Sequence, residues 1–338
     1  MTASMLTPSY KVYVVHNGYK YDMSQVVTQL SLEEQENTLA QKVTIGLVQR
    51  PHGSHYTSTF ISVRDTVYIY AKTGTSYHEI FRGYIWEETY TKDADFELRI
   101  TCYDRMIYLQ ESEEYMYFPK GKSTASIFKE ICKRKGIKCS YSHASVTHSK
   151  LAIRGTLGDV FTDDLIDEVR KRTGKIGVIR ASKGEIKIFT LGKGNSTVYK
   201  FSRSYSKSNG NITSIKVTYS LDGLVTKVII LGQEKDKKRA PIRATVKGNT
   251  SKYGTIQKIE TSSKNDKLAT LKKEAQQTIK DKGKPTRSIE ITAVNNPFVR
   301  KGDKIYVDDT YIRKGYCYVR SVSHDAMKGL MTMEVTLA

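Results

Sequence analysis

The sequence has few cysteines and no long apolar segment, and each shortage excludes a class of protein. Its four cysteines, Cys102, Cys132, Cys139 and Cys317, are too few and too scattered for a disulfide framework. We therefore expect reduced thiols that act as small buried hydrophobic side chains. No apolar run approaches the roughly 20 residues that a membrane span needs, and the N-terminus MTASMLTPSYK lacks a charged and then apolar signal peptide. These features predict a protein that has no membrane partner and is made without the secretory route.

Tryptophan is also scarce, with a single residue, but the aromatic fraction is still 10% because the chain contains 23 tyrosines and 9 phenylalanines. Aromatic side chains suit the pleated surface of β-strands, so this composition favours a protein rich in sheet. The hydrophobic fraction of 38% is sufficient for a folded protein, and 338 residues are enough for two or three domains.

Positive charge is unevenly distributed along the chain, whose net charge is +20. Residues 1–112 hold 10 Lys and Arg against 13 Asp and Glu, which gives −3; residues 113–200 hold 18 against 9, which gives +9. Residues 201–338 hold 27 against 13, which gives +14. This asymmetry indicates either an acidic partner, nucleic acid or protein, facing the later regions, or a solvated basic surface.

Residues 1–112 carry the pattern of short β-strands. In YKVYVVHNGYKYDM, residues 10–23, strand-forming residues flank Asn17-Gly18, the dipeptide that best tolerates the positive φ angles of a tight hairpin turn. Alternating segments follow, among them VTQLSL, KVTIGLV, TVYIY, FRGYIW and FELRITCY. About seven strands without a convincing helix predict a small antiparallel barrel or sandwich.

The pattern changes in residues 113–200. STASIFKEICKRKG, residues 123–136, and DVFTDDLIDEVRKRTG, residues 159–174, each have an apolar helical face and a terminal glycine. KIGVIR and EIKIFTL then predict two strands joined by a turn at Ser182-Lys183-Gly184. This region is therefore expected to be a small α/β domain.

Residues 201–338 return to strand patterns. NITSIKVTYS, LVTKVIIL and GTIQKIETS precede a single helix, residues 265–283, which is stopped by Gly283 and Pro285. Three further strands are expected after that helix. The predicted C-terminal region is a β module with one helix.

Those last strands repeat, in the same order, three segments of the N-terminal region. Residues 67–69 match 305–307, each following a turn aspartate; residues 83–85 match 315–317; and residues 98–101 match 333–336. The residues that define this repeat are Asp65, Tyr68, Arg82 and Gly83 in the first copy and Gly302, Asp303, Tyr306 and Gly315 in the second. Either the two ends are copies of one module, or similar strands converged on one composition.

The predicted fold is therefore mainly β with an α/β insertion. Two related antiparallel β-barrel modules, residues 1–112 and 201–338, flank the small α/β domain of residues 113–200.

Several phrases also resemble a known family. IFRGYI, residues 80–85, is followed by LRITCYDRMIYLQ, residues 98–110, and by KSTASIFKEICKRKGIK. Near the other end, YGTIQKIE, residues 253–260, is followed by a helix, GKP and VRKGDKIYV, residues 299–307. These sequence segments span nearly the whole chain and resemble segments of the XkdQ-like baseplate hub proteins of contractile phage tails.

The resemblance implies a homotrimeric ring at the end of a tail tube, in a phage, prophage or tail-like bacteriocin. Three chains with two tube-like barrels each would present a pseudo-sixfold face to a hexameric tube and a threefold face to the central spike. The implied partners are the tail tube protein, the spike, a LysM-bearing tail protein and baseplate wedge proteins, with nucleic acid only as passing cargo. The implied location is the tail baseplate.

A phosphate-binding loop is the first catalytic alternative to be tested against the sequence. KGKST, residues 120–124, precedes a helix, but Met116 stands where a P-loop needs its first glycine. The Ser123-Thr124 pair is better explained as a helix N-cap, so no nucleotide cofactor is expected.

A zinc site is a second alternative. Cys132, Cys139, His143 and His148 lie close in sequence, but their spacing matches no usual zinc finger or knuckle, so no metal is expected.

A peptidoglycan hydrolase is the least favoured alternative. Asp163, Asp164, Asp167 and Glu168 supply paired carboxylates, yet they occupy the early turns of a predicted helix, where acidic residues are favoured by the helix dipole. Without a hydrolase motif elsewhere, the sequence predicts a protein that is not an enzyme.

The densest basic stretch is EKDKKRAPIR, residues 234–243. Its Lys235, Lys237, Lys238 and Arg239 are candidates for contact with an acidic partner or for a solvated loop. A basic nucleic-acid-binding protein is the main alternative function, although no aromatic residue for base stacking lies within the stretch.

Overall fold

The computed structural model describes residues 7–52, 55–91, 97–203, 210–234, 239–262, 266–310, 312 and 314–338. The N-terminal module consists of strands β1 (Ser9–His16), β2 (Tyr19–Asp22), β3 (Val27–Glu34), β4 (Lys42–Val48), β5 (Pro51–His52), β6 (His55–Tyr56), β7 (Thr66–Lys72), β8 (His78–Thr91) and β9 (Glu97–Asp104), with a 3₁₀ helix at Thr57–Phe60. Its main strands pair antiparallel in the order β2-β1-β7-β8-β9-β4-β3.

The first hairpin forms as predicted. Asn17 and Gly18 have φ angles of +50° and +83°, the left-handed conformation that a two-residue turn between twisted antiparallel strands requires. Strand alternation then directs one side chain in two toward a core, and in β7 these are Val67, Ile69 and Ala71. Since β1 and β3, at opposite ends of the sheet order, contribute to the same core, the sheet curls around it.

The middle domain consists of α1 (Ile107–Glu111), β10 (Glu113–Phe118), α2 (Thr124–Arg134), β11 (Lys138–Ser142), β12 (Leu151–Thr156), α3 (Leu157–Asp159), a π-helical segment (Val160–Asp167), α4 (Glu168–Thr173), β13 (Gly177–Ser182) and β14 (Glu185–Thr190). Strands β10 and β12 form one ladder, and β11-β14-β13 form another. Its core is centred on Phe128 and Phe161, whose rings lie 5.4 Å apart. Helix α1, which precedes residue 113, adds Ile107 and Leu109 to that core.

The proposed N-cap of the helix after KGKST is confirmed. The Ser123 hydroxyl accepts a hydrogen bond from the Ser126 N–H, and the Ser126 hydroxyl in turn accepts one from the Ser123 N–H. This reciprocal cap satisfies two backbone donors that the first helical turn leaves unpaired. None of the helices in the described residues is both long and apolar enough to cross a bilayer.

The C-terminal region consists of β15 (Tyr199–Ser202), β16 (Ile212–Ser220), β17 (Lys227–Leu231), β18 (Ile242–Lys247), α5 (Thr250–Tyr253), β19 (Gln257–Thr261), α6 (Leu268–Lys282), β20 (Thr286–Val294), β21 (Lys304–Asp308), β22 (Gly315–Asp325) and β23 (Leu330–Leu337). Strands β15, β16 and β20–β23 form the C-terminal module, with a core of its own. Four strands follow α6, one more than the sequence predicts.

The strands β17, β18 and β19 correct a second expectation. They do not join the C-terminal module but form a separate three-stranded sheet, order β18-β17-β19, on which α6 packs around Val228, Ile230 and Ala275. We call this the inserted unit. It lies between β16 and β20, where the N-terminal module has only the short connection from β3 to β4.

The two modules share one strand order, β1-β7-β8-β9-β4-β3 in the first and β15-β21-β22-β23-β20-β16 in the second. From the second strand onward, every neighbouring pair is antiparallel in both. The first strand differs, because β1 is antiparallel to β7 whereas β15 is parallel to β21. The predicted fold class, mainly β with two related antiparallel modules flanking an α/β domain, is confirmed.

Candidate functional site at the junction of the two modules

One turn occurs twice, once before each of the equivalent strands β7 and β21. The Asp65 carboxylate accepts a hydrogen bond from the Ser62 N–H at 2.8 Å, and the Asp303 carboxylate accepts one from the Arg300 N–H at 2.9 Å. The residue before each aspartate has a left-handed backbone, with φ +78° at Arg64 and +87° at Gly302.

The backbone of each turn is also hydrogen bonded to the next strand but one, which is β8 for the first turn and β22 for the second. The Asp65 carbonyl accepts from the Ile85 N–H and the Asp303 carbonyl accepts from the Val319 N–H, both at 2.9 Å. A bulge follows at once in both strands, at Trp86 and at Arg320. Ile85 and Val319 are therefore equivalent residues.

This equivalence corrects the register of the sequence repeat. The match of residues 65–69 with 303–307 stands, but Gly83 is equivalent to Cys317 and not to Gly315, because Val67 pairs with Gly83 while Ile305 pairs with Cys317. Likewise Ile100 is equivalent to Met333, because each pairs with the second residue after the bulge in the partner strand, Glu88 in β8 or Val322 in β22. Both later matches were displaced by two residues.

The modules are joined by a direct strand pair. Residues Ser31–Glu34 of β3 pair antiparallel with Val322–Asp325 of β22, in the register Glu34 to Val322 through Ser31 to Asp325. One sheet therefore runs through both modules, from β16 to β2. We call this β3–β22 pair and the side chains around it the junction.

A buried ion pair lies at the junction. Arg300 donates through Nε and Nη2 to the two carboxylate oxygens of Glu34, at 3.0 and 2.7 Å, and also to the Gln41 side chain and the Ala181 carbonyl. The Glu34 side chain is 4% exposed and that of Arg300 14% exposed. Burial alone would raise the pKa of Glu34, but the Arg300 guanidinium outweighs it and holds that pKa at about 2.

Two further cations extend this network to the middle domain. Lys301 Nζ donates to the carbonyls of Gln35 and Thr38, at 3.0 and 2.7 Å. Arg180, on β13, donates to the Lys301 carbonyl at 3.0 Å and to the Asp303 carboxylate at 2.7 Å. Three parts of the fold, the two modules and the middle domain, are thus fixed to one another by largely buried hydrogen bonds to charged groups.

A neutral histidine completes the junction. His324, opposite Leu32 in the strand pair, has Nε2 at 3.0 Å from the Val299 carbonyl and Nδ1 at 2.8 Å from the Asn295 side-chain amide. A neutral ring has one N–H, which Nε2 donates to the Val299 carbonyl, so Nδ1 is left as an acceptor that faces the Asn295 amide. Its burial lowers its pKa to about 4. Burial likewise raises the pKa of Asp104, which accepts from the Gln41 N–H, to about 6.

The other residues predicted to define the repeat are distributed between the modules. Tyr68 pairs with Arg82 across β7 and β8, and the guanidinium lies 5.0 Å from the Tyr68 ring centroid. Tyr306 pairs instead with Tyr316, with ring centroids 5.3 Å apart. Gly302 and Asp303 are at the junction, whereas Asp65 lies in its own module and contacts His16 at 2.8 Å.

Gly83, within β8, and Gly315, the first residue of β22, have different constraints. A Cβ on Gly83 would lie 2.2 Å from the Tyr103 carbonyl oxygen, so the backbones approach too closely for any side chain. A Cβ on Gly315 would meet no atom of the described residues within 4 Å. The steric requirement for glycine is therefore not shared, which agrees with the corrected register.

Three of the four residues predicted to contact an acidic partner, Lys235, Lys237 and Lys238, lie outside the described residues. The fourth, Arg239, is exposed. Their role stays a prediction.

The residues of the catalytic alternatives have structural partners. His148 bonds the Thr124 hydroxyl at 2.9 Å, and His143 bonds the Thr190 hydroxyl at 2.9 Å. Of the four clustered acids, Asp167 pairs with Lys171 and Glu168 with Arg172 along the helix. Across the described ranges, no three His, Cys, Asp or Glu side chains are placed to hold a metal ion.

Comparison with known proteins places these features in context. A family model described as YQBQ-like matches residues 30–338. The uncharacterized protein YqbQ and the phage-like element PBSX protein XkdQ, both of Bacillus subtilis strain 168, are each 24% identical to this chain. The YqbQ alignment covers 92% of this chain and 91% of YqbQ, and the XkdQ alignment covers 92% of both. The crystal structure of a tail protein from Neisseria meningitidis MC58 is similar at a TM-score of 0.70 and 16% identity, covering 98% of this chain and 97% of that one.

Proposed function

This chain belongs to the YQBQ-like family, and from that premise we propose that it is a structural baseplate protein of a contractile tail, the hub that adapts a hexameric tube to a threefold spike. The relative XkdQ belongs by its name to a phage-like element, and a tail protein has the same fold. The particle would be a phage, prophage or tail-like bacteriocin.

The observation that carries this proposal is the repeated strand order of the two modules within one continuous sheet. A homotrimer of such a chain contains six copies of one module. A ring of three can therefore offer six similar surfaces to a sixfold partner while keeping true threefold symmetry toward another.

The junction supports the same role in a second way. A symmetry adaptor has to hold its two modules at a fixed angle, since an error in that angle would prevent the ring from closing. Glu34 and Lys301 are buried, Arg180 and Arg300 are mostly so, and their hydrogen bonds between three parts of the fold define one arrangement.

The proposed partners are the tail tube protein and the central spike, with a LysM-bearing protein and wedge proteins at the periphery. The protein would act by geometry and not by catalysis. A zymogram against peptidoglycan tests this last point, and a clear lytic band from the full chain would show that it is a hydrolase.

Localisation in the particle tests the hub proposal. The full chain is expressed with an epitope tag in the bacterium that produces the particles, and the released tails are labelled with gold-conjugated antibody for electron microscopy. Label at one end of the tail tube, and nowhere else, is expected. Label along the tube or on a capsid, or tails that lack the protein, would overturn the proposal.

A further inference from the structure

Two strand edges, one on β8 and one on β16, are equivalent to the edges of β22 and β3 that pair at the junction. By the register of the two modules, Val322–Asp325 of β22 correspond to Glu88–Thr91 of β8. Ser31–Glu34 of β3 correspond to Lys216–Tyr219 of β16, because Leu32 pairs with Val43 and Val217 with Ile289 at equivalent positions. Each segment has a counterpart in the other module.

Both counterparts have an unpaired edge. In the part of the chain that the structure describes, Glu88–Thr91 pair with β9 alone and Lys216–Tyr219 with β20 alone. A row of free N–H and C=O groups is a ready template for a further strand. The same row on β3 and on β22 is covered at the junction.

Side chains on the two free edges are more exposed than their counterparts on the paired edges. Leu32 of β3 is 2% exposed under β22, whereas its counterpart Val217 on β16 is only half-buried. On the same two free edges, Tyr90 is 50% exposed and Tyr219 is 70% exposed. Apolar and aromatic surface is thus left open on both free edges, where the equivalent edges of the junction are closed.

Charge on the two edges is complementary. Glu88 lies on the β8 edge, next to Glu87, while Lys216 is exposed on the β16 edge. Arg287, the neighbour of Tyr219 across β16 and β20, has its guanidinium 5.9 Å from the Tyr219 ring centroid. Among the described residues, its buried Nε has no hydrogen-bond acceptor. A carboxylate from a second copy would supply one.

We propose that the β16 edge of one copy pairs with the β8 edge of the next copy, so that the junction inside each chain is repeated between chains. The register of the junction then sets the new one: Tyr219 lies opposite Glu88, Thr218 opposite Thr89, Val217 opposite Tyr90 and Lys216 opposite Thr91. This brings the Glu88 carboxylate of one copy to the Arg287 side chain of the other. The proposal rests on the proposed ring and names the strands that close it.

The proposed contact between chains has no equivalent of the buried ion pair that Glu34 and Arg300 form at the junction within each chain. The counterpart of Glu34 is Tyr219, and the counterpart of Arg300 is Ser62. The inter-chain pair is therefore weaker and forms only when copies are held together, which suits a part that is added during assembly. Because the contact joins two different edges, it can be repeated from copy to copy, and in the proposed trimer it is made three times.

Disulfide crosslinking in the particle tests the register. Thr89 and Thr218 both point to the solvent side of the sheet, and directly opposed residues of an antiparallel pair lie about 4.5–5.5 Å apart at Cα, within the range a disulfide spans. The full chain with T89C and T218C is assembled into tails and oxidised. The matched control, T89C with S214C, keeps the same face but moves one cysteine by four residues, or about 13 Å.

A covalent trimer on a non-reducing gel from T89C/T218C, and none from the control or from either single variant, is the expected result. Particles that contain a threefold ring of the protein but give no such crosslink, or give it equally with T89C/S214C, would overturn the strand pairing while leaving the hub in place. Tails in which the protein forms no trimer at all would overturn the hub itself.

Discussion

Glu34 and Arg300 are 266 residues apart in the chain, yet their side chains form a two-point ion pair that is almost fully buried between the two modules. Because little of either side chain is exposed, each charge is stabilised mainly by the other. The pair therefore specifies how the modules are arranged more than it adds to their stability.

Removing one partner should be costly. R300M leaves the buried Glu34 carboxylate without the cation to which it is hydrogen bonded, so we expect a loss of about 3–5 kcal/mol in the free energy of unfolding, measured with urea. R134M breaks the exposed pair with Glu130 and is the matched control, with an expected loss of at most about 1 kcal/mol. In E34L/R300M the loss should be smaller than the sum of the two single losses. Strictly additive losses would show that the two residues are not coupled.

Acidification should destabilise the protein through His324. Its pKa is about 4 in the folded chain against 6.5 when unfolded, so the unfolded state binds the extra proton between these values and stability is lost as pH falls from 6.5 to 4. The loss from this group is about 3 kcal/mol, and H324Q should lack it. Asp104, with its raised pKa of about 6, acts in the opposite direction over pH 6 to 4 in both proteins.

The measurement is urea unfolding of the wild type and H324Q at several pH values, since the difference between them isolates the histidine. Glu34, whose pKa is lowered, reduces stability in both proteins only as pH falls below about 4.5. Parallel stability curves between pH 6.5 and 4 would contradict the neutral, buried histidine.

Two glycines offer a direct test of the corrected register. G83A places a methyl group 2.2 Å from a backbone oxygen and should cost about 1–3 kcal/mol or more in a thermal unfolding experiment. G315A brings the new methyl group within 4 Å of no atom in the described part of the chain and should be close to neutral. Equal effects of the two substitutions would support the equivalence of Gly83 with Gly315 that the structure rejects.

A charge exchange tests the proposed contact between chains. E88R and R287E should each abolish the covalent trimer that T89C/T218C gives in oxidised tails, measured on a non-reducing gel, because each puts like charges together. E88R combined with R287E should restore it in part. E113R reverses an exposed acid on the middle domain and should have no effect. A trimer that survives both single reversals would place the interface elsewhere.

Binding to DNA separates the hub from the alternative of a nucleic-acid-binding protein. The hub needs only weak attraction, so fluorescence anisotropy should show little binding at physiological salt. Substituting the basic stretch, including Lys235, Lys237, Lys238 and Arg239, should then change little. Affinity of about 1 µM or tighter, falling steeply with salt and lost on that substitution, would favour the alternative.

Much of the fold was predictable from local chemistry. Asn17-Gly18 adopts the positive φ angles that a tight hairpin requires, and Ser123 caps its helix.

The register of the repeat was not predictable, for a physical reason. Side chains alternate with a period of two, so a shift of two residues keeps every one on the correct face of the sheet. Only the bulges at Trp86 and Arg320, and the backbone bonds of Asp65 and Asp303, fix the equivalence.

The junction was beyond sequence reasoning for a related reason. A strand pattern states which face is buried but not which sheet the strand joins, so β17 and β19 were assigned to the wrong one. Glu34, Arg180 and Arg300 were missed as well, since an ion pair between distant residues leaves no local pattern. The one available signal was the two charged residues, Arg300 and Lys301, beside the glycine of a turn that closes a hydrophobic strand.

The central claim is that three chains act as six modules, and a cryo-electron microscopy reconstruction of the tail end, with threefold symmetry only, tests it most directly. The account predicts a ring of six similar β modules at the end of the tube, alternately joined by β3 with β22 inside a chain and by β16 with β8 between chains. A ring in which only one module of each chain contacts the tube would contradict it.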